Sequence, residues 1–154
     1  MNKKQDATPD TPWSNQRFRN WVALVRAERA VVQALNKALA PLDLKIPQLD
    51  VLMNVHRHPD LSQHELARRL LVGRSNITML LPQLEAQGLL RRENDAKDRR
   101  VMRLRLTAEG ERRLTQALKI YAALVERVMA QSTEEECNLI GARMTAIAEM
   151  LKEE

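Results

Sequence analysis

The chain has very little cysteine and no long apolar run, and each shortage excludes a class of protein. A single cysteine, Cys137, excludes an intramolecular disulfide framework and a multi-cysteine zinc site, and it is compatible with a reducing cytoplasm. No apolar run approaches the roughly 20 residues that a membrane-spanning helix needs. The polar N-terminus lacks the apolar segment of a signal peptide. We therefore expect a cytoplasmic protein with no membrane partner.

The residues needed for catalysis are also missing. All four glycines are isolated, so the chain has no glycine-rich phosphate-binding loop. We find no Ser/His/Asp or Cys/His grouping and no paired carboxylates in a loop where an active site could form. His56, His58 and Asp60 lie close together, but no further Cys or His nearby completes a metal site, and they predict a solvated loop. We predict that the protein is not an enzyme and that it binds neither a cofactor nor a metal.

Charge is distributed unevenly along the 154 residues, which are enough for one domain or one domain with an extension. The net charge is +5 and the pI about 9.8. Residues 89–107 carry seven basic and three acidic residues, whereas residues 132–154 carry six glutamates and two basic residues. This asymmetry indicates that one region meets a polyanion while another has a different role.

The strongest strand signal lies in the basic segment. The run from Val101 to Leu106 alternates as in a half-buried strand, with one face formed by Met102, Leu104 and Leu106 and the other by Val101, Arg103 and Arg105. The preceding "LLRRE" can pair with this run across the turn "NDAKD". Elsewhere, apolar spacing and capping residues predict helices. These helices begin near Asn15, Pro47, Ser62, Arg74, Thr107 and Thr133. The predicted fold class is mainly α with a small β-hairpin wing, arranged as a winged helix-turn-helix with further helices from both termini.

The second helix of the helix-turn-helix begins with a polar turn. Arg74, Ser75, Asn76 and Thr78 match the residue types that read base edges in the major groove, although Ser and Thr can also bind phosphates. An ordinary helical hairpin with polar caps is one alternative. Another is a winged helix used as a protein-interaction or RNA-binding module, which would lack this polar turn and the basic wing. We favour sequence-specific binding to double-stranded DNA.

Over residues 15–152 the chain resembles the MarR family of transcription regulators. The motifs that carry the resemblance are "LSQHELARRL", "SNIT…LEAQGLLRR" and, above all, "DAKDRRVMRLRLTAEG". The resemblance implies an obligate homodimer with intertwined terminal helices on a pseudo-palindromic operator. It also implies a cleft for a small, often phenolic, effector that weakens DNA binding. The expected function is a transcription regulator, in the first place a repressor.

The resemblance also assigns residues in the wing. Asp98 and Arg100 match the wing-tip pair, with Arg99 and Lys97 beside them; the recognition-helix contacts fall on the four residues named above. Arg100 is the candidate for minor-groove insertion, with Asp98 orienting its guanidinium. Lys97 departs from the frequent Arg. Pro82 lies inside the recognition helix, where we expect a bend or a contact surface limited to the first two turns.

The resulting domain prediction has three parts: a disordered tail at 1–14, a helical dimerisation region at 15–45 and 108–154, and the winged helix-turn-helix at 46–107. Trp21 and Tyr121 are candidates for the effector cleft, with packing of the first helix against the fifth as the alternative. Some relatives sense oxidants through a cysteine in the first helix; this first helix has none. Cys137 is therefore interpreted as a small, partly buried structural thiol.

Overall fold

The structure, a computed structural model, describes residues 12–70, 74–95 and 98–151, with the backbone alone for residues 74–76. Over these residues the predicted order of six α-helices and a hairpin is confirmed. The elements are α1 (Gln16–Leu39), α2 (Ile46–Arg57), α3 (Gln63–Leu70), α4 (Arg74–Ala86), β1 (Leu90–Asn94), β2 (Met102–Leu106), α5 (Ala108–Met129) and α6 (Glu134–Met150). The chain divides into two compact units, one ending at Ile46 and one beginning at Pro47.

The N-terminal unit is organised around the start of α1. The Asn15 side chain accepts a hydrogen bond from the Arg17 backbone N–H at 2.8 Å and so caps the helix. Residues Pro12–Ser14, which the sequence prediction includes in the disordered tail, form a 3₁₀ turn. The physical reason is the Trp13 ring, which packs edge-on against Phe18 with 5.1 Å between centroids. Residues 1–11 of the predicted tail lie outside the described residues.

The second unit is built on a leucine-rich core in which α4 contributes one complete face. Ile77, Leu81 and Leu84 recur at helical spacing and are all fully buried. Burial of each such side chain stabilises the fold by about 1.5–3 kcal/mol. The helix continues through Pro82 without interruption as far as Ala86. Gly88, with φ of 68°, follows and ends the helix in the left-handed conformation typical of a C-terminal cap.

The hairpin pairs antiparallel with Leu90 opposite Leu106 and Asn94 opposite Met102. Residues 90–106, comprising β1, the turn and β2, are called the wing below. Its return strand also pairs with the segment that precedes α3. The Leu104 N–H donates to the Leu61 carbonyl at 2.9 Å, and Ser62 forms an antiparallel bridge with Arg103. The wing is therefore hydrogen-bonded to the start of the helix-turn-helix.

Capping boxes begin the two helices that were predicted to start near Ser62 and Thr133. Glu65 accepts from the Ser62 N–H at 2.8 Å while its own N–H donates to the Ser62 hydroxyl at 3.2 Å, which begins α3. Thr133 and Glu136 make the equivalent reciprocal pair at α6. Among the described residues, none of the helices is both long and apolar enough to span a membrane.

A close backbone approach joins α5 to the end of α4. Thr107 caps α5 by accepting from the Gly110 N–H at 3.0 Å, and its hydroxyl donates to the Gly88 carbonyl at 2.6 Å. A Cβ on Gly110 would lie 2.0 Å from the Leu89 carbonyl oxygen. Only glycine lets α5 begin this close to the α4–β1 turn.

Candidate nucleic-acid interface

The tip of the wing presents a single guanidinium held by a carboxylate. Arg100 is bound to Asp98 by two side-chain hydrogen bonds, of 3.0 Å from Nε and 3.1 Å from Nη2. The Arg100 backbone N–H donates to the same carboxylate at 3.0 Å. These bonds from Arg100 lower the pKa of Asp98 below its ordinary value. Because the Arg100 side chain is still 91% exposed, the pair presents an oriented cation to whatever lies outside the wing.

A second acid organises the turn from inside. The Asp95 carboxylate accepts from the Asp98 backbone N–H at 2.9 Å and from Arg103 Nε at 2.7 Å. The Asp95 N–H donates to the Val101 carbonyl, also at 2.9 Å. Acids in this basic segment therefore shape the hairpin from within.

Arg103 and Arg105 fasten the wing to the loop before α3. Arg103 donates to the Asp60 carbonyl at 2.9 Å and lies 3.6 Å from the Glu65 carboxylate. Arg105 pairs with the Asp60 carboxylate and, at 3.1 Å, with Glu93. The alternation in the sequence places both arginines on one face of the return strand but identifies no partner for them. The structure shows that they anchor the wing.

Helix α4, the predicted recognition helix, presents Thr78 and Met79 to solvent, with Met79 66% exposed. Thr78 lines a cleft of about 710 Å³ that separates α3 and α4 from the wing and is also lined by Arg68 and Arg100. The side chains of Arg74, Ser75 and Asn76, and all of Lys97, lie outside the described residues. Arg99 is exposed in the turn beside the Asp98–Arg100 pair.

Two features were missed by sequence reasoning. Met79 was not singled out, because one methionine among several apolar residues gives no signal of exposure. His56 was interpreted as part of a solvated loop, yet its Nδ1 lies 2.9 Å from a Glu111 carboxylate oxygen, a contact across 55 positions of sequence. No cluster of three or more His, Cys, Asp or Glu with metal-binding geometry occurs in the described part of the chain.

The residues predicted for an effector cleft belong to different compact units. Trp21, on α1, is 51% exposed, and Tyr121, on α5, is half-buried. Their assignment to one cleft stays a prediction. Cys137 is partly buried in the first turn of α6, as expected, and its backbone N–H donates to the Thr133 carbonyl at 3.0 Å.

Comparison with known proteins identifies the fold and its family. The sequence model of the MarR family matches residues 42–101. The transcriptional repressor CouR, solved bound to a 23-mer DNA duplex, is 30% identical; the match covers 82% of this chain and 89% of CouR, with a TM-score of 0.77. The chain belongs to the MarR family of transcriptional regulators.

Other MarR-type relatives agree with this placement. The HTH-type transcriptional repressor MdtR of Bacillus subtilis (strain 168) is 37% identical over 99 residues, which are 64% of this chain and 63% of MdtR. The match thus spans slightly less than two thirds of that relative's length. The organohalide-sensing regulator RdhR-CbdbA1625 in its 2,4-dichlorophenol-bound form is 19% identical with a TM-score of 0.81, and covers 97% of this chain and 89% of its own. At that identity the likeness shows the fold alone.

Proposed function

We propose that this MarR-family chain is a sequence-specific, double-stranded DNA-binding repressor. It acts as a homodimer on a pseudo-palindromic operator and is released by a small aromatic effector. The observation that carries the proposal is the Asp98–Arg100 pair, an oriented and exposed guanidinium at the tip of a wing that is fastened to the helix-turn-helix. CouR, which is 30% identical, is a repressor bound to a DNA duplex.

The wing and α4 have complementary roles in this proposal. A guanidinium inserted in a narrow A·T-rich minor groove is attracted by the concentrated negative potential there. The first turn of α4 reads base edges in the adjacent major groove through Arg74 and Asn76, with Ser75 and Thr78 at base edges or phosphates. Arg99 and Lys97 contact flanking phosphates and add affinity without sequence preference.

The homodimer is supported by apolar side chains that the single chain leaves exposed on its C-terminal helices. Helix α6 has no buried residue. The exposed apolar residues of α5 and α6 are Leu118, Val125, Val128, Leu139, Ile140, Met144 and Met150. Such a surface on two helices is typical of an interface between subunits, since the described chain leaves these apolar side chains exposed.

The effector part of the proposal rests on membership of the MarR family and on Trp21 and Tyr121, two aromatic side chains that are not fully buried. A thermal-shift screen of small aromatic acids tests it, because a ligand that binds only the folded protein raises the melting temperature. A hit should lose its stabilising effect in Tyr121→Ala. A hit whose effect is unchanged in both Tyr121→Ala and Trp21→Ala would place the effector elsewhere.

DNA reading is tested by fluorescence anisotropy with the duplex upstream of the protein's own gene, in the presence of excess random competitor. We expect retained, salt-dependent binding. Asn76→Ala should lose about 1–3 kcal/mol on this duplex and little on random DNA. Equal losses on both duplexes would mean that Asn76 only touches phosphate. Tighter binding to single-stranded RNA than to any duplex would contradict the proposed function itself.

A further inference from the structure

Helix α4 has a large apolar side chain, Met79, on the side that faces away from the core. Ile77, Leu81 and Leu84 are fully buried and Leu80 is partly buried, whereas Met79 is 66% exposed. Thr78 and Pro82, at adjacent positions on the helix surface, are exposed as well. The outward face of α4 is therefore a small apolar patch beside a hydroxyl, at the centre of the helix rather than at its polar first turn.

A single exposed methionine is ordinary on a protein surface and by itself indicates nothing. What distinguishes Met79 is its location. Its neighbour Thr78 lines the cleft that also contains Arg100 of the wing and Arg68 of α3. The patch therefore lies next to the side of the unit that carries the exposed guanidinium, where a polyanion would dock.

The chemistry of a DNA major groove supplies one apolar group to such a patch. Among the four bases only thymine carries a methyl group there, at C5, and apolar side chains pack against it. Methionine suits this contact because its unbranched, polarisable side chain adapts to irregular apolar surfaces. Cytosine has a hydrogen atom in place of this methyl group and an amino donor in place of the thymine O4 acceptor. An apolar side chain at this position therefore favours thymine over cytosine.

We propose that Met79 is a specificity-determining residue that packs against the 5-methyl group of a thymine in the major groove. This inference rests on the proposed DNA-binding function and adds to it a residue outside the polar first turn of α4. It assigns thymine to the base pair opposite the second turn of the helix, beyond the bases assigned to Arg74 and Asn76.

The experiment uses the full chain and a duplex enriched by it from a randomised library. Each thymine of the enriched duplex is then replaced by deoxyuridine, which keeps every hydrogen bond and removes only the methyl group. At one thymine in each half-site we expect the wild-type dissociation constant to rise about fourfold for each methyl lost.

Two variants of Met79 form a matched pair, since Met, Leu and Gln have similar helix propensities. Met79→Leu keeps an apolar side chain and should retain the loss on deoxyuridine. Met79→Gln has similar length but a polar end, and it should bind the thymine and deoxyuridine duplexes equally. The proposal requires this difference between the variants.

The results that would contradict the Met79 assignment differ from those that would contradict the proposed DNA-binding function. No enriched duplex would overturn the proposed function together with this inference. An enriched duplex on which wild type shows no deoxyuridine loss, or on which Met79→Gln keeps the full loss, would overturn the inference alone. A change in sedimentation of Met79→Gln with unaltered thymine preference would assign Met79 to a protein contact and likewise refute it.

Discussion

At the tip of the wing, the Asp98 carboxylate sets the orientation of the Arg100 side chain. Without Asp98 the Arg100 side chain would rotate freely, because 91% of it is exposed to solvent. Two hydrogen bonds from its guanidinium to the Asp98 carboxylate restrict the side chain to a narrow range of directions. In the proposed complex, restricting the side chain before binding reduces the entropy that is lost when the guanidinium enters a groove.

Asp98→Ala provides a test in which two physical effects have opposite signs. Removing a negative charge from a surface proposed to meet DNA favours binding, whereas releasing Arg100 opposes it. We expect weaker binding to an A·T-flanked operator, because releasing the Arg100 guanidinium costs more binding free energy than removing the Asp98 charge contributes. Asp98→Asn, which keeps one acceptor oxygen, should fall between wild type and Asp98→Ala. Tighter binding by Asp98→Ala at moderate salt, measured by anisotropy, would refute the orienting role.

At the scale of elements, the wing is held by side chains from its own turn and from the loop before α3. Arg103 bonds to Asp95 within the wing and to the Asp60 carbonyl outside it. The bond to Asp95 raises the pKa of Arg103. A planar guanidinium can satisfy both acceptors at once, and a lysine ammonium cannot match this geometry.

Arg103→Met should therefore weaken DNA binding by displacing the wing, although Arg103 does not contact DNA in the proposal. The salt dependence separates the two roles. A lost phosphate contact reduces the slope of log K against log salt by about 1, whereas a displaced wing tip need not. Arg99→Met is the matched control and should show the smaller slope. The same reduced slope for Arg103→Met would mean that Arg103 binds phosphate directly.

The junction between α4 and α5 requires a residue without a Cβ atom at position 110. Gly110→Ala would bring a methyl group 2.0 Å from the Leu89 carbonyl oxygen, which is backbone and cannot move aside cheaply. We expect a loss of about 1–3 kcal/mol in the free energy of unfolding. Gly141→Ala is the control, since nothing lies within 4 Å of its added Cβ; on helix α6 it should stabilise by about 0.5–1 kcal/mol. Urea denaturation measures both, and equal effects would contradict this account of the junction.

At the scale of the whole molecule, the chain carries more apolar helix surface than it covers. Leu139 and Ile140 on α6, with Leu151 just beyond it, are each about half exposed or more. In the proposed homodimer these side chains are buried by the partner. Folding and assembly are then linked, and the apparent stability depends on protein concentration.

Leu151→Asp should consequently produce monomers and abolish operator binding without altering any proposed DNA-contacting residue. Asn138→Asp adds the same charge to an exposed position on the other side of α6 and should leave the dimer intact. Analytical ultracentrifugation distinguishes these outcomes. A wild-type chain that sediments as a stable, cooperatively folding monomer would contradict the homodimer.

Features set by near neighbours were determined by the sequence itself. The capping boxes Ser62–Glu65 and Thr133–Glu136 join residues three positions apart, and the alternation at 101–106 expresses the two-residue period of a strand. The pairing of Asp98 with Arg100 is equally local. For such features the partners are close in any conformation, so residue type and spacing suffice.

Features that join distant parts of the chain were decided only by the tertiary structure. Arg103 meets the Asp60 carbonyl across 43 positions, and His56 meets Glu111 across 55. Periodicity assigned Arg103 and Arg105 to a polar face without showing that this face anchors the wing. The exposure of Met79 likewise depends on which side of α4 the core covers. Sequence spacing does not encode these contacts, because they arise from the packing of elements whose relative positions are set by the whole core.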